Sequence, residues 1–211
     1  MLRLSLCNDN SLCNDGNVKY LFAPLLRSIV IKQLMSDITI VFGTETGNSE
    51  SLAKMTSKRL QSQGHQVLVM DLEEFPVDKL LQVKHLLVIT STYGEGEPPA
   101  NAEEFYDDLM SDDAPNLSHL SFSVCALGDQ DYDLFCQCGK DIDERLQELG
   151  ASRFAARVDC DADYLEFEDW WHGVEVGLKK MMPPSSTAPQ QSASQQSAPQ
   201  QSAPQQSAPQ Q

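Results

Sequence analysis

Basic side chains are scarce in this sequence: 15 Lys and Arg stand against 31 Asp and Glu, a net charge of −16 at pH 7. Proteins that bind nucleic acid neutralise phosphates with Lys and Arg gathered on one face. The shortage excludes that class of partner. The acidity is also uneven, because residues 1–34 carry four basic and two acidic groups and residues 185–211 carry none, which leaves −18 on residues 35–184. Such a charge favours solubility and steers a protein toward basic faces on protein partners. Cysteine is sparse too: the six, at 7, 13, 125, 136, 138 and 160, do not form the short-loop framework of a disulfide scaffold, and no signal peptide with a cleavage site precedes them. A reduced, cytoplasmic setting is expected. Long apolar runs are missing, since the stretch from Tyr20 to Ile31 is broken by Pro24 and Arg27 and falls short of the ~20 residues of a membrane helix. No membrane association is expected. His65, His85, His119 and His172 are scattered, with no metal-ligand spacing among them or to the cysteines.

What remains is the composition of a globular protein, 41% hydrophobic and 22% charged, between two unusual ends. From Ser185 onward Gln-Gln-Ser-Ala-Pro recurs with no large apolar or charged side chain. Nothing there offsets the entropy of ordering, so residues 184–211 read as a disordered, proline-punctuated tail. At the other end Ser-Leu-Cys-Asn-Asp stands at 5–9 and again at 11–15, and the first persuasive strand follows only after Met35. Residues 1–34 read as an extension, disordered or upstream of a natural start at Met35. The domain is expected over residues 35–183.

Within that span strand and helix patterns alternate. Ile38–Phe42 reads as a buried strand, and Asn48–Gln63 as an amphipathic helix stopped by Gly64. Strand Gln66–Met70, a short helix near Val77–Gln82, strand His85–Thr90, helix Asn101–Leu109 and strand Phe122–Leu127 follow. Helix Gly139–Leu149, strand Phe154–Val158 and a helix from Asp163 to Lys180, which Trp170 and Trp171 pack on the sheet, close the pattern. Five strands joined by helical crossovers predict a doubly wound α/β fold around a five-stranded parallel sheet.

In such a sheet ligands bind beyond the carboxyl ends of the strands, so the loops leaving strands 1, 3 and 4 should converge. The first, Thr44, Glu45, Thr46, Gly47, Asn48 and Ser49, joins a strand to a helix. Unpaired amides at the helix start, hydroxyls on Thr44, Thr46 and Ser49, and a glycine at 47 make a phosphate site that needs no Lys or Arg. The second runs Ser91, Thr92, Tyr93, Gly94, Glu95, Gly96, Glu97, Pro98, Pro99, a loop pre-shaped by its prolines. The third holds Leu127, Gly128, Asp129, Gln130 and Asp131, then Tyr132, Asp133, Leu134, Phe135 and Cys136. Tyr93 and Tyr132, one on each of these loops, are candidates for covering the two faces of a flat conjugated ring.

Taken together as an ordered set, Thr-Glu-Thr-Gly-Asn-Ser, Ser-Thr-Tyr-Gly-Glu-Gly-Glu-Pro-Pro, Ala-Leu-Gly-Asp-Gln-Asp-Tyr-Asp-Leu-Phe-Cys and Arg-Val-Asp-Cys-Asp-Ala-Asp-Tyr resemble the flavodoxin family. Within it the chain resembles the FMN-binding module of diflavin reductases of the sulfite reductase flavoprotein type, from about Met35 to Met182. The resemblance implies a sheet of order 2-1-3-4-5 holding FMN. Residues 44–49 would bind its phosphate; residues 91–94 and 127–136 would bind the ring and ribityl chain. It further implies that the Gly94 peptide turns toward the flavin as an electron arrives, and that Asp129, Asp131, Asp133, Asp159, Asp161 and Asp163 lend negative charge nearby. Glu45 stands where many relatives carry glutamine, and its side chain is expected to face solvent. The FAD and NADPH modules of a diflavin reductase are not expected in this chain. The function implied is therefore a one-electron carrier between an NAD(P)H-dependent flavoprotein reductase and a redox enzyme, docked at the acidic rim, or else the FMN subunit of a split sulfite-reductase-like or diflavin system. A quinone reductase lacks a visible hydride-donor site, and a phospho-acceptor receiver domain lacks its aspartates at the ends of strands 1 and 3.

Overall fold

The computed structural model describes residues 36–182, so the expectations for residues 1–34 and 184–211 lie outside the described residues. The central strand β1 spans Ile38–Gly43 and is buried at every position, as a strand covered on both faces must be. On one side it pairs in parallel with β2, Val67–Asp71, and on the other with β3, His85–Ser91. Strand β4, Ser121–Leu127, pairs in parallel with β3. The order is 2-1-3-4-5, the expected doubly wound arrangement.

Alternation along the strands divides the core in two. Ile38, Ile40, Leu87, Ile89 and Cys125 face one side, covered by α1 (Asn48–Ser62) through Ala53 and Leu60 and by the last helix. Val41, Leu86, Val88, Phe122 and Val124 face the other, covered by α2 (Glu103–Met110) through Phe105 and Leu109 and by α3 (Gln137–Glu148) through Ile142 and Leu146. The last helix, α4, spans Phe167–Met181 and buries Trp170 and Trp171. The Trp170 indole N–H donates to the Ser123 hydroxyl at 2.9 Å, which satisfies the one polar atom that helix carries into the core.

Three local expectations change. The segment Phe154–Val158 is not one strand: β5 is Ser152–Arg153 and β6 is Val158–Cys160, both paired with β4. Phe122 faces Arg153 and Cys125 faces Val158, so β4 advances three residues while the edge chain advances five. The two extra residues are looped out as a bulge. Arg153 and Arg157, on either side of it, both reach the buried Asp143 carboxylate, at 2.7 and 3.0 Å. The segment Val77–Gln82 is a 3₁₀ helix, entered through Pro76. Helix α3 starts at Gln137 rather than Gly139, because Cys136 takes the left-handed conformation at its N-cap. Gly139 lies inside the helix for a packing reason: a Cβ there would stand 2.3 Å from the Ala126 Cβ on β4.

Candidate functional site

The three loops converge on a cleft of about 560 Å³ at the carboxyl edge of the sheet, within the range of small-molecule and cofactor sites. From the first loop it is lined by Glu45, Thr46 and Asn48, and from the second by Ser91, Thr92, Tyr93 and Gly94. The third contributes Leu127, Gly128, Asp129, Tyr132, Leu134, Phe135 and Cys136. Thr44, Gly47 and Ser49 stand behind the first loop, and Gln130, Asp131 and Asp133 lie outside the lining.

The first loop is held from within. The Thr44 hydroxyl accepts the Gly47 N–H at 2.9 Å, and Gly47 sits at φ 86° as the N-cap of α1, with no side-chain cap. The amides of the first helical turn therefore have neither a carbonyl behind them nor a capping side chain. Beside them the Ser49 hydroxyl is completely buried and has no protein partner. An unsatisfied buried donor costs about 1–3 kcal/mol, and a phosphate oxygen at the helix start would accept from it. The residues present fit a phosphate ester. Glu45 is exposed, as expected, and its Oε2 accepts the Ala100 N–H at 3.3 Å.

The second loop is a tight hairpin, in which Tyr93 and Glu97 exchange two backbone hydrogen bonds of 2.9 Å around Gly94 at φ 54° and Gly96 at φ 105°. The Thr92 N–H donates to the Leu127 carbonyl at 3.0 Å, and the Thr92 hydroxyl accepts the Cys138 N–H at 3.2 Å. These bonds tie the second loop to β4 and α3. In the third loop Asp129 accepts the Asp131 N–H on its carboxylate and the Tyr132 N–H on its carbonyl, making a turn that leaves Tyr132 on the surface. Tyr93 is 58% exposed and Tyr132 59%, which is unusual for aromatic rings and places both faces of the cleft ready for a flat partner.

A fourth segment joins them that sequence reasoning did not select as a site. Ala162 and Tyr164 complete the lining, and the Asn48 amide donates to the Tyr164 hydroxyl at 2.6 Å. Tyr164 takes φ 56°, so the chain turns there and α4 starts at Phe167 rather than at Asp163. The signal was present only as the last piece of the resemblance, Arg-Val-Asp-Cys-Asp-Ala-Asp-Tyr.

The charges also sort themselves. Asp159 is paired, with Arg157 at 2.7 Å and Lys140 at 4.0 Å, so its charge is largely cancelled. Asp161 accepts the Gln130 and Ala162 amides, which hold its carboxyl below the usual range. On the far side of Tyr93 and Gly94 a smaller recess of about 360 Å³ is walled by Glu45, Glu95, Glu97 and Glu103. Cys136 and Cys138 do not face one another: the first thiol donates to the Ala126 carbonyl at 3.4 Å, and the second lies 3.7 Å from the Thr90 hydroxyl. Burial pushes both up to about 12, so neither supplies a thiolate.

Comparison with known proteins agrees with this geometry. The family model described as flavodoxin matches residues 40–171. Over 145 residues the chain is 46% identical to the sulfite reductase [NADPH] flavoprotein alpha-component of Bacillus subtilis (strain 168), covering 68% of this chain and 24% of that protein. It is 43% identical over 140 residues to the protein of that name from Shewanella sp. (strain MR-7), covering 66% and 23%. Among solved structures, the flavodoxin of Streptococcus pneumonia TIGR4 superposes with a TM-score of 0.58 at 29% identity, covering 66% of this chain and 97% of that one. Fold and relatives define the class as an electron-transfer flavoprotein domain. The chain belongs to the flavodoxin family, whose cofactor is FMN. It spans about a quarter of the length of the curated relatives it matches. Among the described residues no helix is long and apolar enough to cross a membrane.

Proposed function

We propose that residues 35–183 form an FMN domain that carries single electrons between an NAD(P)H-dependent flavoprotein reductase and a redox enzyme. The observation that carries this reading is the pairing of an orphaned, fully buried Ser49 hydroxyl at a bare helix start with two exposed tyrosines on the facing loops. FMN, when bound, supplies the redox chemistry, since it holds zero, one or two electrons. The protein's own part is to bind and orient it. The amides and hydroxyls of residues 44–49 hold the phosphate, Tyr93 and Tyr132 cover the ring, and Thr92, Asp129 and the Leu127–Gly128 backbone line the depth of the cleft. Gly94 supports the ring edge with a peptide whose positive φ leaves it free of a Cβ. The acidic residues at Glu95, Glu97 and Glu103 form the rim on which a basic partner face docks. Purified protein should be yellow and should release FMN, not FAD, on denaturation; a colourless protein that takes up no FMN would overturn the reading.

A second reading, the FMN component of a split sulfite-reductase-like or diflavin system, is favoured by one observation: 43–46% identity with sulfite reductase flavoproteins confined to under a quarter of their length. Efficient electron delivery from the photoreduced protein to a sulfite reductase hemoprotein, with none to other acceptors, would select it over a general carrier.

A further inference from the structure

We propose that Asn101 is a positioning residue that sets the first loop for a phosphate and so makes the protein discriminate FMN from unphosphorylated flavin. The proposal rests on the FMN reading above. The side-chain amide of Asn101 stands where three segments meet. The Thr44 N–H, at the root of the first loop, donates to Asn101 Oδ1 at 2.8 Å. Asn101 Nδ2 donates in turn to Asp71 Oδ1 at the end of β2, also at 2.8 Å. Asp71 is itself fixed, because the same oxygen accepts the Glu73 N–H at 3.0 Å and caps the turn Leu72–Glu74.

The chemistry of the two neighbours decides which side chain can stand between them. A backbone N–H only donates and a carboxylate only accepts, so the bridge needs an acceptor on one arm and a donor on the other. A primary amide has both, and only one orientation of it satisfies both partners. Aspartate here would oppose Asp71, and alanine would leave the Thr44 amide and the carboxylate without this partner.

Two further contacts converge on the loop from the same segment. Ala100, next in the chain, donates its N–H to Glu45 Oε2 at 3.3 Å and so keeps that carboxylate on the second-loop side. Ala102 packs against Gly43, where an added Cβ would lie 3.0 Å from the Ala102 Cβ and 2.6 Å from the Thr90 hydroxyl. Residues 100–102 thus hold Gly43, Thr44 and Glu45 in succession, while Thr44 holds Gly47 through its hydroxyl. The peptide before Thr44 is fixed in direction, and with it the donors at the start of α1. Tyr93 and Tyr132 make no hydrogen bond to Asn101, so its effect should fall on the phosphate end.

The test is a pair of titrations of apoprotein, one with FMN and one with riboflavin, which lacks the phosphate. Asn101→Ala should weaken FMN at least tenfold and change riboflavin affinity less than twofold. Equal loss for both ligands would show that Asn101 merely supports the cleft, and unchanged FMN affinity would show that it positions nothing; either result overturns the proposal. Should Asn101→Ala not fold, Asp71→Asn keeps the shape and removes the charge that orients the amide. FMN should then weaken severalfold with riboflavin unchanged, and again equal loss or no loss defeats the proposal. Wild-type protein that bound neither flavin would instead end the FMN reading, a result distinct from any failure of the variants.

Discussion

Ser49→Ala separates binding from folding because the two should move in opposite directions. The Ser49 hydroxyl is fully buried without a protein partner, so deleting it from the apoprotein removes a polar atom that earns no hydrogen bond there and leaves the helix packing intact. An unsatisfied buried donor costs about 1–3 kcal/mol. The apoprotein should therefore melt no lower than wild type, and up to several degrees higher at about 2–4 °C per kcal/mol for a domain of this size. In the FMN complex the same hydroxyl donates to a charged oxygen, a bond worth about 1.5–3 kcal/mol. Its loss should weaken FMN roughly ten- to a hundredfold, since about 1.4 kcal/mol is tenfold. Differential scanning calorimetry of the apoprotein and fluorescence titration with FMN measure both sides. An apoprotein that melts several degrees lower, or an FMN affinity that does not fall, would refute the reasoning.

Tyr132→Ala should cost FMN at least tenfold in affinity, because ring stacking and apolar burial go together; unchanged affinity would remove Tyr132 from the ring contact. Gly94→Val should lower stability by about 1–2 kcal/mol, because φ is 54° and the new Cβ would meet Glu97 Oε2 at 2.6 Å. It should also shift the two one-electron potentials of bound FMN apart from wild type; potentials that stay in place would show that the Gly94 peptide does not respond to reduction. Maleimide should label Cys136 and Cys138 far more slowly in native than in unfolded protein, both thiols being pushed up to about 12 by burial, and equal rates would contradict the buried geometry. Burial holds His85 below its ordinary value of 6.5, so the unfolded chain binds its proton more readily and stability should fall as pH drops below that value. Thermal melts at pH 7.5 and 5.5 should show a smaller difference in His85→Gln than in wild type; an equal difference would assign the loss to other groups.

The four inner strands were legible because each is a short β-branched or leucine-rich run with a loop of hydroxyls and glycines directly after it, as at Ile38–Gly43 and His85–Ser91. The outer strand was not, since nothing in Phe154–Val158 announces that β4 would advance three residues against five. That register depends on Asp143 drawing in Arg153 and Arg157 from either side, a contact between distant parts of the chain. Tyr164 escaped for a similar reason: a tyrosine at positive φ looks like any other in one dimension. Asp159 was counted with the free acids because its neutralisation by Arg157 and Lys140 requires the bulge and α3 together. Asn101 read as the start of a helix, which in fact begins at Glu103 and leaves that amide free to bridge.

The bulged outer strand has a consequence for life at high concentration. A carrier that meets many partners collides just as often with its own copies, and a long straight sheet margin would offer them a row of open amides and carbonyls on which to polymerise. Here that margin is cut into pieces of two and three residues, with the bulge and two arginines between them. No stretch is long enough to template a second chain, so the acidic face can stay open for brief redox encounters while the flank resists self-association.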